Sequence, residues 1–190
     1  LYLCSNSVAA VKLDAADVKA WLEHSATFFN QIDPKRIDAQ ALVNKKVPSY
    51  NFDVIQGEIA YSIDLTRPAG ERITELRYQG KPIKPEQSFI LATNSYRASG
   101  GGDFPGTGPE KVLFIAPDMS RNILIDWVKQ RKNLSYEKDG ADHAWRFVPV
   151  KTAGPVEFRS ASNKLELAGK LGLKGIAEST SSDDGMSTYT

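Results

Sequence analysis

The run Phe89-Ile90-Leu91-Ala92-Thr93-Asn94-Ser95-Tyr96-Arg97-Ala98-Ser99-Gly100-Gly101-Gly102-Asp103-Phe104-Pro105-Gly106 sets the reading of the whole chain. Its first five residues form a short continuous apolar run, the pattern of a strand buried on both faces. The strand ends at Tyr96, an aromatic with amide and hydroxyl neighbours. Three glycines follow, and a glycine backbone can approach a ligand closely. An aromatic face held at a strand end is a stacking platform for a planar ring, worth about 1–3 kcal/mol per base. Asp103, beside those glycines, is suited to accept hydrogen bonds from two vicinal hydroxyls. Asn94 carries both donor and acceptor atoms for a base edge. A plainer reading competes on these residues alone: Tyr96 as a core or surface aromatic and the glycines as an ordinary turn. Arg97 reads either as a screen for phosphate charge or as a cover for the sheet edge.

Outward from this stretch the pattern alternates between strands and a few helices. On the N-terminal side, residues 1–12 alternate loosely. Asp14 is expected to cap a helix running to about Asn30, with Val18, Trp21, Leu22, Ala26 and Phe29 on one stripe. Lys19, Glu23 and Gln31 fall off that stripe, and His24 sits at its boundary. Residues 35–49 are polar and irregular. Ile59, Tyr61, Ile63 and Leu65 share one face of a strand, and Ile73 to Tyr78 gives another. Tyr50 and Phe52 are expected to pack rather than to meet a base. On the C-terminal side, Val112 to Ile115 is a strand. Ser120 is expected to cap a helix to about Arg131, with Trp127 in the core. Trp145 to Val150 and Val156 to Arg159 read as strands, and Leu165 to Leu171 as a short helix. Residues 178–184, with the acidic pair Asp183-Asp184, read as polar loop, and 185–190 alternates like a strand. The sum is an α+β fold: a mixed, mostly antiparallel β-sheet flanked by helices.

Composition narrows the function classes. The chain has 190 residues, 41% hydrophobic and 25% charged, an ordinary globular balance that suits one domain over 1–190. Lys+Arg 24 against Asp+Glu 23 leaves a formal charge of +1, which offers no electrostatic footprint for duplex nucleic acid. No apolar run is long enough to span a membrane. A single cysteine, Cys4, excludes an internal disulfide and is expected to be a buried or half-buried thiol. The two histidines, His24 and His143, lie far apart in sequence, too few for a catalytic zinc site or a dimetal centre in this chain. No cofactor is therefore expected on it. Both ends look cut from within structure, so the chain is expected to be a fragment.

Four segments together resemble the C-terminal domain of the 5'-nucleotidase family. They are Val18 to Glu23 with Phe29 to Asp33; Val47-Pro48-Ser49-Tyr50-Asn51-Phe52-Asp53-Val54-Ile55; Gly80-Lys81-Pro82-Ile83; and Ala92 to Gly101. Within that family the match is closer to the periplasmic 2',3'-cyclic-nucleotide 2'-phosphodiesterase/3'-nucleotidase branch. The resemblance implies a nucleoside or nucleotide ligand. It also implies an N-terminal metallophosphoesterase domain as partner, holding two divalent metal ions, and a periplasmic or secreted location. This chain alone would then be inactive as a hydrolase. The family sandwiches the base between two aromatics, and Tyr96 matches the second. Cys4 stands where the family often has the first, with Tyr2 close by. The family's Gly-Gly-Asp becomes Gly100-Gly101-Gly102-Asp103 here, so Gly101, Gly102 and Asp103 are implied as the sugar-binding loop, with Asn94 and Arg97 beside it. Two alternatives stay open: a non-catalytic ligand-binding or interaction module reusing the fold, and the same domain from a 5'-nucleotidase.

Overall fold

Strand β1 (Ser7–Asp14) buries Ala9, Val11 and Leu13 completely and hands over directly to a helix. The hand-over is a capping box. The Asp14 carboxylate accepts from Asp17 N at 2.8 Å, and the Asp17 carboxylate accepts from Asp14 N at 3.1 Å. Helix α1 (Ala15–Ala26) follows and buries Val18, Trp21, Leu22 and Ala26, as its periodicity predicts. It ends at its C-cap Thr27, whose Oγ1 donates to the His24 carbonyl at 2.6 Å, and the N–H groups of Phe28 and Phe29 bond three residues back to Ser25 and Ala26. Phe29 then turns away to bridge Val43. The computed structural model describes residues 4–140 and 142–190; the expected alternation at Leu1 and Leu3 lies outside them.

The first sheet has the order β6–β1–β7, with β6 spanning Ser88–Asn94 and β7 Val112–Met119, all antiparallel. Its register pairs Ala9 with Thr93, Val11 with Leu91 and Leu13 with Phe89, which gathers these residues on the core face. The opposite face pairs Lys12 with Ile90, and Ile90 is 72% exposed. β6 is therefore buried on one face only: it is an edge strand, and its apolar run does not mark a two-sided burial. Helix α3 (Ser120–Arg131) leaves β7 with Met119 at its N-cap and no capping side chain, so Ser120 is its first residue and not its cap. Trp127 on α3 is 44% exposed and does not enter the core.

The second sheet runs β5 (Lys81–Pro82), β4 (Ile73–Tyr78), β3 (Ile59–Ile63), β8 (Trp145–Phe147), with β8 parallel to β3. Ile59, Tyr61, Ile63 and Leu65 are buried, as their alternation predicts. Phe52, Phe29, Trp145 and Phe147 form an aromatic cluster, four of its pairs edge-on at 4.9–5.2 Å between centroids and Phe29 and Trp145 tilted at 6.2 Å. Tyr50 stays exposed; its 3-10 turn (Ser49–Asn51) uses the backbone carbonyl of this residue and not its ring. The third sheet runs β10 (Glu178–Ser181), β11 (Met186–Tyr189), β9 (Val156–Ala161), β2 (Gln40–Ala41), with β2 parallel to β9. The polar stretch read as loop is thus half strand, because its Ser and Thr residues pair with β11. Three short helices complete the chain: α2 (Ser95–Ala98), α4 (Tyr136–Asp139) and α5 (Leu165–Lys170). Among the described residues no helix is long and apolar enough to cross a membrane.

The turn between β10 and β11 carries a testable charge. The Ser182 hydroxyl, the Arg159 guanidinium at 2.8 Å and the Met186 N–H at 3.1 Å all donate to Asp184, and lower its pKa to about 2. Since the folded value lies below the ordinary 3.8, these bonds support the turn above about pH 4 and are lost as pH falls toward 2. A carbon-13 NMR titration is expected to place the Asp184 midpoint near 2; a midpoint near the ordinary value would contradict the arrangement.

Candidate functional site

The exit of β6 builds the site. Asn94 ends the strand and caps α2, its Oδ1 accepting from Arg97 N at 2.8 Å. That bond uses one lone pair of the oxygen, and the side-chain amide N–H groups keep their donor capacity. The single turn of α2 then lifts Tyr96 outward, where it is 48% exposed. The chain folds back beneath the ring: Gly101 N donates to the Tyr96 carbonyl at 2.8 Å. A Cβ on Gly101 would lie 2.6 Å from Cε1, Cε2 and Cζ alike. Equal distances to three ring carbons place that point over the ring face. Gly101 thus supports one face of Tyr96 with bare backbone, and any side chain there would evict the ring.

Arg97 points the other way, into the protein, and is 4% exposed. Its Nε and Nη2 grip the Asp53 carboxylate at 2.8 and 3.0 Å, Nη1 donates to Gly101 O at 2.9 Å, and Nη2 also donates to Tyr50 O. Its guanidinium carbon sits 4.2 Å from the centroid of Phe104. Neither sequence reading of Arg97 describes this. Its donors go to protein partners, and it is the internal post to which the glycine loop is tied. Gly102 passes so close that a Cβ would collide with Arg97 Nη1, and its φ is +81°.

Beyond the glycines, Asp103 takes φ +57° and is exposed. Among the described residues its carboxylate has no ion-pair partner. One residue, Gly102, separates it from Gly101, so two Cα–Cα steps keep its Cα within about 7.6 Å of the Cα under the Tyr96 ring. Phe104 then dives into the core against Trp21, centroids 5.0 Å apart. Alongside α2 a cleft of about 600 Å³ is lined by Thr93, Asn94, Arg97, Asp53, Ser120 and Ile123 among others.

The antiparallel register brings the start of β1 to this end of the sheet, and Ser7 N donates to Ser95 Oγ at 3.1 Å. Cys4, three residues upstream, is exposed, not the buried thiol expected. Tyr2 lies outside the described residues. Sequence reasoning did not select Asp53 or His24 as neighbours of the loop. Asp53 stands in one of the four quoted segments, but no spacing rule ties it to a residue 44 positions away. His24 Nε2 lies 3.0 Å from Gly102 O across 78 residues. No group of three or more His, Cys, Asp or Glu among the described residues is placed to hold a metal ion.

Comparison with known proteins shows the family of the chain. The family model described as 5'-nucleotidase, C-terminal domain, matches residues 1–108, which include the whole Asn94–Phe104 arrangement. The chain is 43% identical over 162 residues to the trifunctional nucleotide phosphoesterase protein YfkN of Bacillus subtilis (strain 168), covering 79% of this chain and 11% of that protein. It is 41% identical over 189 residues to the 2',3'-cyclic-nucleotide 2'-phosphodiesterase/3'-nucleotidase of Haemophilus influenzae, covering 90% of this chain and 28% of the relative. It therefore spans under a third of the length of these relatives. Among solved structures, the 5'-nucleotidase precursor of Thermus thermophilus shares the fold, with TM-score 0.55 and 18% identity over 76% of this chain and 25% of that one. With a family match over more than half of its residues and relatives 41–43% identical over 79–90% of its length, the chain belongs to the 5'-nucleotidase C-terminal domain family.

Proposed function

We propose that this chain is the nucleoside-recognition part of a 2',3'-cyclic-nucleotide 2'-phosphodiesterase/3'-nucleotidase. The observation that carries the reading is Tyr96, an aromatic ring backed face-on by glycine backbone and about half exposed, beside an exposed acid. The base stacks on the outer side of Tyr96. The Asn94 amide donates to an acceptor on the base edge. The Asp103 carboxylate accepts from the ribose hydroxyls. Identity to enzymes of that name supports the substrate class, and the resemblance supports a periplasmic or secreted location.

The contribution of these residues to catalysis is positioning, which supplies rate without a titrating group on this chain. Two divalent metal ions on the part of the relatives that this chain does not span would activate water and stabilise charge at phosphorus. This chain holds base and sugar so that the phosphate ester projects toward them.

The test is a titration with adenosine and with 3'-AMP, followed by intrinsic fluorescence. Saturable binding is expected. Tyr96→Ala is expected to weaken it roughly ten- to hundredfold, the equivalent of about 1–3 kcal/mol of stacking, while Tyr96→Phe keeps most of it. With Mg²⁺ or Mn²⁺ added, the chain alone is expected to bind without hydrolysing. An absence of binding at millimolar nucleoside would favour a module that reuses the fold for another ligand.

A further inference from the structure

We infer that His24 is a positioning residue for the sugar-binding acid: it fixes the peptide plane from which Asp103 projects. The inference rests on the reading of Asp103 as the ribose-binding carboxylate. The carbonyl of Gly102 and the N–H of Asp103 belong to one peptide unit, and both ends of that unit are bonded. Gly102 O meets His24 Nε2 at 3.0 Å, and Asp103 N donates to Gly100 O at 3.1 Å. A carbonyl only accepts, so Nε2 carries the proton in this pair.

The unit needs such a tie. Gly100 and Gly102 sit at φ +93° and +81°, and Asp103 at +57°. The unit turns on ψ of Gly102, which no Cβ restrains, and on φ of Asp103, which at +57° lies in the left-handed region that non-glycine residues seldom adopt. Without the tie, the loop can relax by returning φ of Asp103 from +57° to negative values, which turns the Asp103 side chain relative to Gly101 and Gly102. His24 itself is held in place. Its ring packs edge-on against Phe104 with centroids 4.5 Å apart, and Phe104 is clamped between Trp21 and Arg97. A rigid helix thus reaches across the chain to hold the most permissive link of the loop.

The experiment compares adenosine with 2',3'-dideoxyadenosine on the 190-residue chain and on His24→Phe and His24→Gln. Phenylalanine keeps the ring contact with Phe104 and removes the donor; glutamine keeps an N–H of similar reach. Wild type is expected to favour adenosine. His24→Phe is expected to bind adenosine roughly tenfold more weakly, the size of one charge-assisted hydrogen bond misaligned, with dideoxyadenosine binding unchanged. His24→Gln is expected to restore the preference. In the ligand-free chain, the Asp103 amide is expected to lose exchange protection in His24→Phe. Unchanged preference and protection in His24→Phe would overturn the inference, as would an equal loss for both ligands, which signals general loosening. A wild type that binds both ligands equally would overturn the reading of Asp103 and this inference with it. A wild type that discriminates while His24→Phe does so equally would overturn the inference alone.

Discussion

Replacing Glu23 by alanine is expected to remove about 3–5 kcal/mol of folding stability, as one-sided removal of a buried, bonded charge does. Glu23 is 6% exposed although it sits on α1 off the apolar stripe. Its carboxylate accepts from Arg72 N at 2.9 Å and from Ile73 N at 2.7 Å, binding the helix to the start of β4. Arg72 is buried too, and its Nη1 donates to the carbonyls of Ala26 and Phe29 at 2.9 and 2.7 Å, where the helix ends. Burial lowers the pKa of the Arg72 guanidinium, and the Glu23 carboxylate opposes that effect. The alanine variant leaves a buried cation without its counter-charge and two buried N–H groups without acceptors. For a chain of this length the loss corresponds to roughly 6–20 °C in melting temperature. Glu23→Gln keeps one acceptor and is expected to recover part of it. Urea unfolding of the three proteins checks both; a Glu23→Ala midpoint equal to that of wild type would rule out the carboxylate as the link between α1 and β4.

Arg97→Ala is expected to remove about 3 kcal/mol and to release the glycine loop. The variant strips the cation from Asp53 and the donors from the carbonyls of Tyr50 and Gly101, and removes the guanidinium face from Phe104. Breaking a buried pair from one side costs about 3–5 kcal/mol. The Asp53 side chain keeps 25% exposure, so water takes up part of the charge and the lower end of that range applies. Arg97→Lys supplies a charge but not a planar fork, and an ammonium cannot hold the carboxylate at two points while reaching two carbonyls. It is therefore expected to behave much closer to alanine than to arginine. Calorimetric melting measures the stability change. Tyrosine fluorescence, sensitive to the seating of Tyr96 on Gly101, measures the loop. Full retention of both in Arg97→Ala would mean that the loop is held by other means.

The two variants separate the fold from the site. Glu23 bonds the start of β4 and makes no hydrogen bond to the loop, whereas Arg97 donates to Gly101 O within it. Nucleoside binding by folded Glu23→Gln is therefore expected to survive at a level that folded Arg97→Lys does not reach.

Local pattern settled a good part of this protein. The cap at Asp14, the stripe of α1 from Val18 to Ala26, the burial of Ile59, Tyr61 and Ile63 in β3 and the limits of β4 are short-range matters of period and hydrogen bonding, and each stands in the structure where the sequence puts it. The placement of Tyr96 at a strand exit followed by glycines is likewise a matter of chain order. Only tertiary structure decided the rest, because it depends on groups brought together from afar. An apolar run reads the same whether one face or two are covered, so the exposure of Ile90 and Trp127 could not be seen in advance. A charged residue reads as solvated until its partners are known, and the partners of Glu23 and Arg97 lie some 44 to 50 positions away. Gly101 and Gly102 are required by Tyr96 and Arg97, which press against them from the protein itself, and only the packed backbone could show that.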